Sequence, residues 1–206
     1  WTGATFLIGA IAISGLPPLN GFASEFLIYF GALEGGSLFP RSTAIPSIAV
    51  IAGLALIGGL ALACFTKAFG TIFLGEPRQI PAPHIHEADW WMRIPMLILA
   101  AGCWAIGLFS PWIVEGMQPV FRTIARMPDE AISLSMTPCL ESLALIAGVS
   151  SALIAGIAAL SFFRRWVLSG RPLGQTVTWD CGYAAPSPRM QYSGSSFSQP
   201  ILHLLQ

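Results

Sequence analysis

Residues 12–26 read AISGLPPLNGFASEF, and this stretch decides the fold. It interrupts an apolar run that extends from about Ala4 to Leu33. A continuous helix over that run would measure about 45 Å at 1.5 Å per residue. The hydrocarbon core of a bilayer is only about 30 Å thick, so an interruption fits the excess length. Pro17 and Pro18 have no backbone N–H and leave upstream carbonyls without donors. Gly15 and Gly21 tolerate backbone conformations closed to other residues, and Asn20 suits the N-cap of a helix restarting at Gly21. Inside a bilayer, freed backbone groups survive only against protein or a water-filled cavity. Gly15, Leu16, Pro17, Pro18, Leu19, Asn20 and Gly21 are therefore expected to form an unwound loop between two half-helices. Discontinuous helices of this kind recur in transporters where ions are handled.

Glu25 falls about one turn into the second half-helix. A charge at mid-bilayer costs roughly 2.5–3.5 kcal/mol on insertion scales. Burial opposes the carboxylate, while the positive end of the half-helix dipole favours it. A carboxyl under those opposing pulls is suited to accept and release protons. Lys67 is the second ionisable candidate; it follows a long apolar run and either snorkels to the interface or turns inward and tunes proton affinities.

Composition supports a membrane setting. The chain is 54% hydrophobic and only 10% charged, against about 25% charged in ordinary soluble domains, and its mean hydropathy is +0.69. Net charge is zero, and no basic cluster with interleaved aromatics appears, which excludes nucleic acid as a partner. The fold class read from this pattern is all-α, a polytopic helix bundle with one discontinuous transmembrane helix.

Four spans are expected: about 4–33 with its break at 15–20, then 47–74, 94–114 and 142–163. Residues 1–166 would form the membrane domain and residues 167–206 a cytoplasmic tail. The second span is rich in small residues (IAGLALIGGLALA, residues 51–63), which let helices approach closely. Trp90, Trp91 and Arg93 suit a membrane interface. A short surface helix is expected around Val120 to Met127. Arg78, Arg93, Arg164, Arg165, Arg171 and Arg189 fall on one side of this layout, and Arg41, Arg122 and Arg126 on the other. The excess of basic residues places the tail in the cytoplasm. The chain starts at Trp1 without a signal peptide and stops inside an apolar run, so it reads as a piece of a longer protein.

Other chemistries find little support. His84, His86, Glu87 and Asp89 could ligate a metal, but they sit in a proline-rich loop with no second cluster to complete a site. Cys64, Cys103, Cys139 and Cys181 are too scattered for haem, iron–sulfur or zinc binding and read as small buried hydrophobes. Neither a phosphate loop nor a serine nucleophile elbow is present.

The stretch FLIGAIAISGLPPLNGFASEFLIYFGAL (residues 6–33) resembles the proton-antiporter-like membrane subunits of respiratory complex I, Mrp-type cation/proton antiporters and membrane-bound hydrogenases. In that family an apolar half-helix meets a G-L-P-P-L-N-G-F break, with an acid or lysine four residues after the second glycine. Glu25 holds that position here, and the resemblance implies an essential proton-transfer role for it. LACFTKAFGTIFLGEPR (residues 62–78) and TWDCGYAAPSPRMQYSGSSFSQPI (residues 178–201) look like the large antiporter-like subunit of formate hydrogenlyase and hydrogenase-4-type complexes. This likeness covers essentially the whole chain. It implies the C-terminal part of a longer subunit, in a prokaryotic inner membrane, with its tail leading to a lateral helix. It also implies that this chain carries no cofactor of its own. Nickel–iron and iron–sulfur centres would sit in partner subunits of a hydrogenase. Two alternatives stay open: a subunit of an NADH-quinone oxidoreductase or Mrp-type antiporter, possibly moving Na⁺, and a purely structural membrane anchor.

Overall fold

The computed structural model describes residues 1–38, 41–75, 86–126 and 128–171, with the isolated positions 193, 194, 199 and 203. The elements run α1 (Thr2–Ile13), α2 (Asn20–Leu38), α3 (Arg41–Phe69) closed by a π-helical turn (Gly70–Leu74), α4 (Trp90–Leu108), α5 (Ser110–Gly116), α6 (Gln118–Ala125) and α7 (Asp129–Leu168). No strand occurs among the described residues. The protein is an all-α membrane helix bundle. Among the described residues, three stretches are long and apolar enough to cross a bilayer: Ala44–Leu74, Trp90–Leu108 and Glu130–Leu168.

The bundle is organised around α2, which packs against α1, α3, α4 and α7. Two apolar clusters fix it. Between α1 and α3, Phe6 meets Phe65, Phe69 and Phe73 at ring-centroid distances of 6.5, 6.5 and 5.2 Å. Such offset and tilted pairs add about 0.5–1.5 kcal/mol each beyond area burial. On the other side, Val114 of α5 joins Cys139 and Leu143 of α7, and Phe26, Leu27 and Phe30 of α2 pack against them. Much of the remaining apolar surface is exposed, including Ile48, Leu56, Ile57 and Leu60 on α3 and Leu153, Ile157 and Leu160 on α7. Uncovered surface of that extent suits lipid or neighbouring helices rather than water.

Several element boundaries differ from the sequence expectation. The helix expected over 94–114 ends at Leu108, turns at Phe109 and resumes as α5. Pro111 lies in the first turn of α5, where a missing N–H is tolerated. The helix expected over 142–163 begins at Asp129 and runs 40 residues, about 60 Å. Pro138 does not stop it. Ile132, Cys139 and Leu143 are buried along one stripe, at i, i+7 and i+11, and that packing outweighs the single lost hydrogen bond.

The interface features take definite positions. Trp90 and Trp91 are exposed, and the Arg93 guanidinium lies 5.2 Å over the Trp90 ring. The short α6 (Gln118–Ala125) stands where a surface helix was expected and turns Phe121 onto the α5–α7 cluster. Arg126, at φ 52, closes it in the left-handed conformation.

Candidate functional site at the helix break

The break is built by residues that cannot continue a helix. α1 stops at Ile13, and Ser14 caps its end by donating its Oγ–H to the Ala10 carbonyl at 2.8 Å. Gly15 follows at φ +64, a left-handed conformation that favours glycine. The Gly15 N–H bonds to the Ala12 carbonyl at 3.2 Å and the Leu16 N–H to the Ile11 carbonyl at 3.3 Å, which closes the last turn of α1. The Pro17–Pro18 peptide is cis. The Leu19 N–H then bonds to the Leu16 carbonyl at 3.2 Å, and α2 begins at Asn20.

The loop packs partly into the bundle, with Pro17 exposed and Gly15, Leu16 and Pro18 half-buried. Leu19 is 1% exposed, and Ala12, Ser14 and Ala23 are also buried. Three glycines permit the packing by having no Cβ. One at Gly21 would overlap the Ala12 carbonyl oxygen. One at Gly107 of α4 would overlap the Pro18 carbonyl oxygen and come within 2.7 Å of the Leu19 backbone. One at Gly15 would fall 2.6 Å from the Glu25 carboxyl carbon.

That last contact places the candidate acid. Glu25 is half-buried in the second turn of α2, and its carboxylate folds back against Gly15 in the loop. The same carboxylate's Oε2 lies 3.8 Å from where a Cβ at Gly58 of α3 would stand. The break, the acid and a glycine of the neighbouring helix therefore meet at one point. A carboxyl so placed can exchange a proton with water admitted at the break.

The other expected residues fall elsewhere. Lys67 is half-buried in the last turn of α3. It follows Gly58 by nine residues, about 13 Å of helix rise, so Lys67 and Glu25 are held at different levels. Asn20 is the first residue of α2 rather than its cap, and its Oδ1 is buried without a hydrogen-bond partner. Cys139 is buried as a small hydrophobe, but Cys64 is exposed on α3, which corrects the expectation for that thiol. His84 and the segment from Trp179 to Tyr183 lie outside the described residues. Glu87 accepts a hydrogen bond from the Thr2 N–H at 3.3 Å, and no group of three metal-ligating side chains occurs among the described residues.

Sequence reasoning missed Gly58 and Gly107. Each is one glycine among several in an apolar helix, and nothing local distinguishes a glycine that faces a carboxylate from one that faces lipid. A separate cavity of about 580 Å³ lies between the α4–α5 corner and α7, lined in part by Trp112, Glu115, Leu140 and Glu141. None of its lining residues belongs to the break.

Comparison with known proteins gives consistent relatives. No protein-family model matches the sequence. The chain is 32% identical over 211 residues to hydrogenase-4 component B of Escherichia coli, covering 98% of this chain and 30% of that protein. It is 30% identical over 200 residues to formate hydrogenlyase subunit 3 of the same organism, covering 95% of this chain and 30% of that protein. A shorter match, 36% identical over 101 residues, joins it to NADH-quinone oxidoreductase subunit L of Mycobacterium tuberculosis and covers 49% of this chain and 15% of that protein. The chain thus spans under a third of the length of the two longer matches.

Proposed function

Because the chain belongs over nearly its whole length to the antiporter-like membrane subunits found in hydrogenase and NADH-quinone oxidoreductase complexes, we propose that it translocates protons for a redox-driven complex. The observation that carries this reading is the Glu25 carboxylate held against Gly15 in the helix break. Glu25 accepts a proton from water on one side of the break and releases it toward the other. The loop from Leu16 to Asn20 admits that water. Lys67, at its separate level on α3, modulates the transfer through its charge.

In this reading the membrane is crossed four times. α1, the break and α2 together make the first crossing, and Ala44–Leu74, Trp90–Leu108 and Glu130–Leu168 make the others. The tail after Leu168 lies in the cytoplasm of a prokaryotic cell, as the distribution of arginines favours. The driving partner is a nickel–iron hydrogenase module that holds its own metal centres. This is favoured by the two matches that cover 95% or more of the chain. The second reading, an NADH-quinone oxidoreductase subunit, draws on the higher identity of a match half as long. Copurification separates them: a hydrogenase module supports the first, an NADH-oxidising module the second.

The test of the relay is Glu25→Gln in the assembled complex, reconstituted in proteoliposomes. Proton translocation should fall at least a hundredfold while redox turnover and subunit content persist. Normal translocation by this variant would leave the chain as a structural anchor.

A further inference from the structure

The break is short of hydrogen-bond donors. In a continuous helix the carbonyls of Ile13 and Ser14 would be met by the N–H groups four residues on, but those positions are Pro17 and Pro18, which have none. Across the loop, Asn20 Oδ1 is buried and accepts no hydrogen bond. Leaving such an oxygen bare is unfavourable, because it has given up its hydrogen bonds to water and gained none. Where the protein offers no donor, buried polar atoms are satisfied by internal water held by about two to four polar partners. Ala12, Ser14 and Leu19 are buried and Gly107 closes on the Pro18 and Leu19 backbone, so this inner side of the break is covered by protein while Pro17 is exposed.

We infer that Asn20 anchors an internal water in the break, and that this water is a station on the proton path to Glu25. The inference rests on the reading of Glu25 as the proton-transfer group and names the residue that positions its proton supply. Gly21, next to Asn20, and Glu25 both face Gly15. Along α2 the five residues from Asn20 to Glu25 correspond to a rise of about 7.5 Å and a turn of about 140°. A short chain of waters, with hydrogen bonds of about 2.8 Å, follows the loop carbonyls around that turn. A proton enters as hydronium, passes along these waters and forms the O–H bond of Glu25. Release regenerates the carboxylate, and the Asn20 amide keeps its own protons throughout. Among the described residues Glu25 is the titratable side chain placed against the break. α1 carries none, Lys67 stands nine residues beyond Gly58, and Cys103 lies one turn before Gly107.

The experiment uses Asn20→Leu and Asn20→Asp in the assembled complex in proteoliposomes. It reads protons moved per redox turnover and the infrared C=O band of protonated Glu25, identified by its loss in Glu25→Gln. Asn20→Leu should slow translocation at least tenfold, shift that band and slow its deuterium exchange. Asn20→Asp keeps the anchoring oxygen, so it should pump, and its pH profile should gain an inflection. Wild-type translocation in Asn20→Leu overturns the inference. So does slow translocation with an unmoved band, which would mark a merely structural defect. If Asn20→Leu does not assemble, Asn20→Asp decides, and an unchanged pH profile refutes a hydrated path at this position. Failure of the relay itself appears separately, as normal pumping in Glu25→Gln.

Discussion

Adding one methyl group at Gly15 tests the geometry of the site most directly. Gly15 sits at φ +64, where a Cβ costs about 1–2 kcal/mol. The new Cβ would also stand 2.6 Å from the Glu25 carboxyl carbon. Ordinary carbon contacts begin near 3.5 Å, so the carboxyl must retreat by about 1 Å. A displacement of about 1 Å at a reacting group can cost about a hundredfold in rate. Gly15→Ala should therefore lower proton translocation by about two orders of magnitude, with the thermal midpoint of the complex reduced by only a few degrees. The matched control is Gly9→Ala on α1, where a Cβ meets nothing within 4 Å and translocation should be unchanged. The assay is acidification of proteoliposomes driven by redox turnover, with assembly checked by size exclusion. Wild-type pumping by an assembled Gly15→Ala complex would refute the contact between the loop and the acid.

Two further outcomes follow from the same packing. Gly107→Ala drives a Cβ into the Pro18 carbonyl and the Leu19 backbone. Overpacking of this kind costs about 1–3 kcal/mol, so the complex should lose thermal stability and translocation together; an unchanged melting profile would contradict the close approach of α4. Lys67→Met removes a charge about 13 Å along α3 from the level of Glu25, where at an effective dielectric of about 20 the interaction is about 1 kcal/mol. Translocation should change by no more than about tenfold, and a loss as deep as that of Glu25→Gln would mean that the two groups act in direct contact.

The sequence by itself determined a membrane helix bundle and the position of its discontinuity. Apolar length, sparse charge and the two prolines with a glycine before them act locally, through desolvation and missing N–H groups, and need no partner to be read. It also exposed Glu25 as an acid with no local reason to be in an apolar run. Tertiary structure alone decided what that acid touches. The Glu25 side chain reaches back from α2 onto Gly15, α3 supplies Gly58, and the approach of α4 makes Gly107 indispensable. The same holds for the early start of α7, where burial of Ile132, Cys139 and Leu143 overrides a local proline, and for Asn20, whose capping chemistry gives way to a buried, unpartnered oxygen. Local chemistry fixes where a chain must bend. Which atoms meet there depends on contacts between residues far apart in sequence, and those exist only once the helices pack.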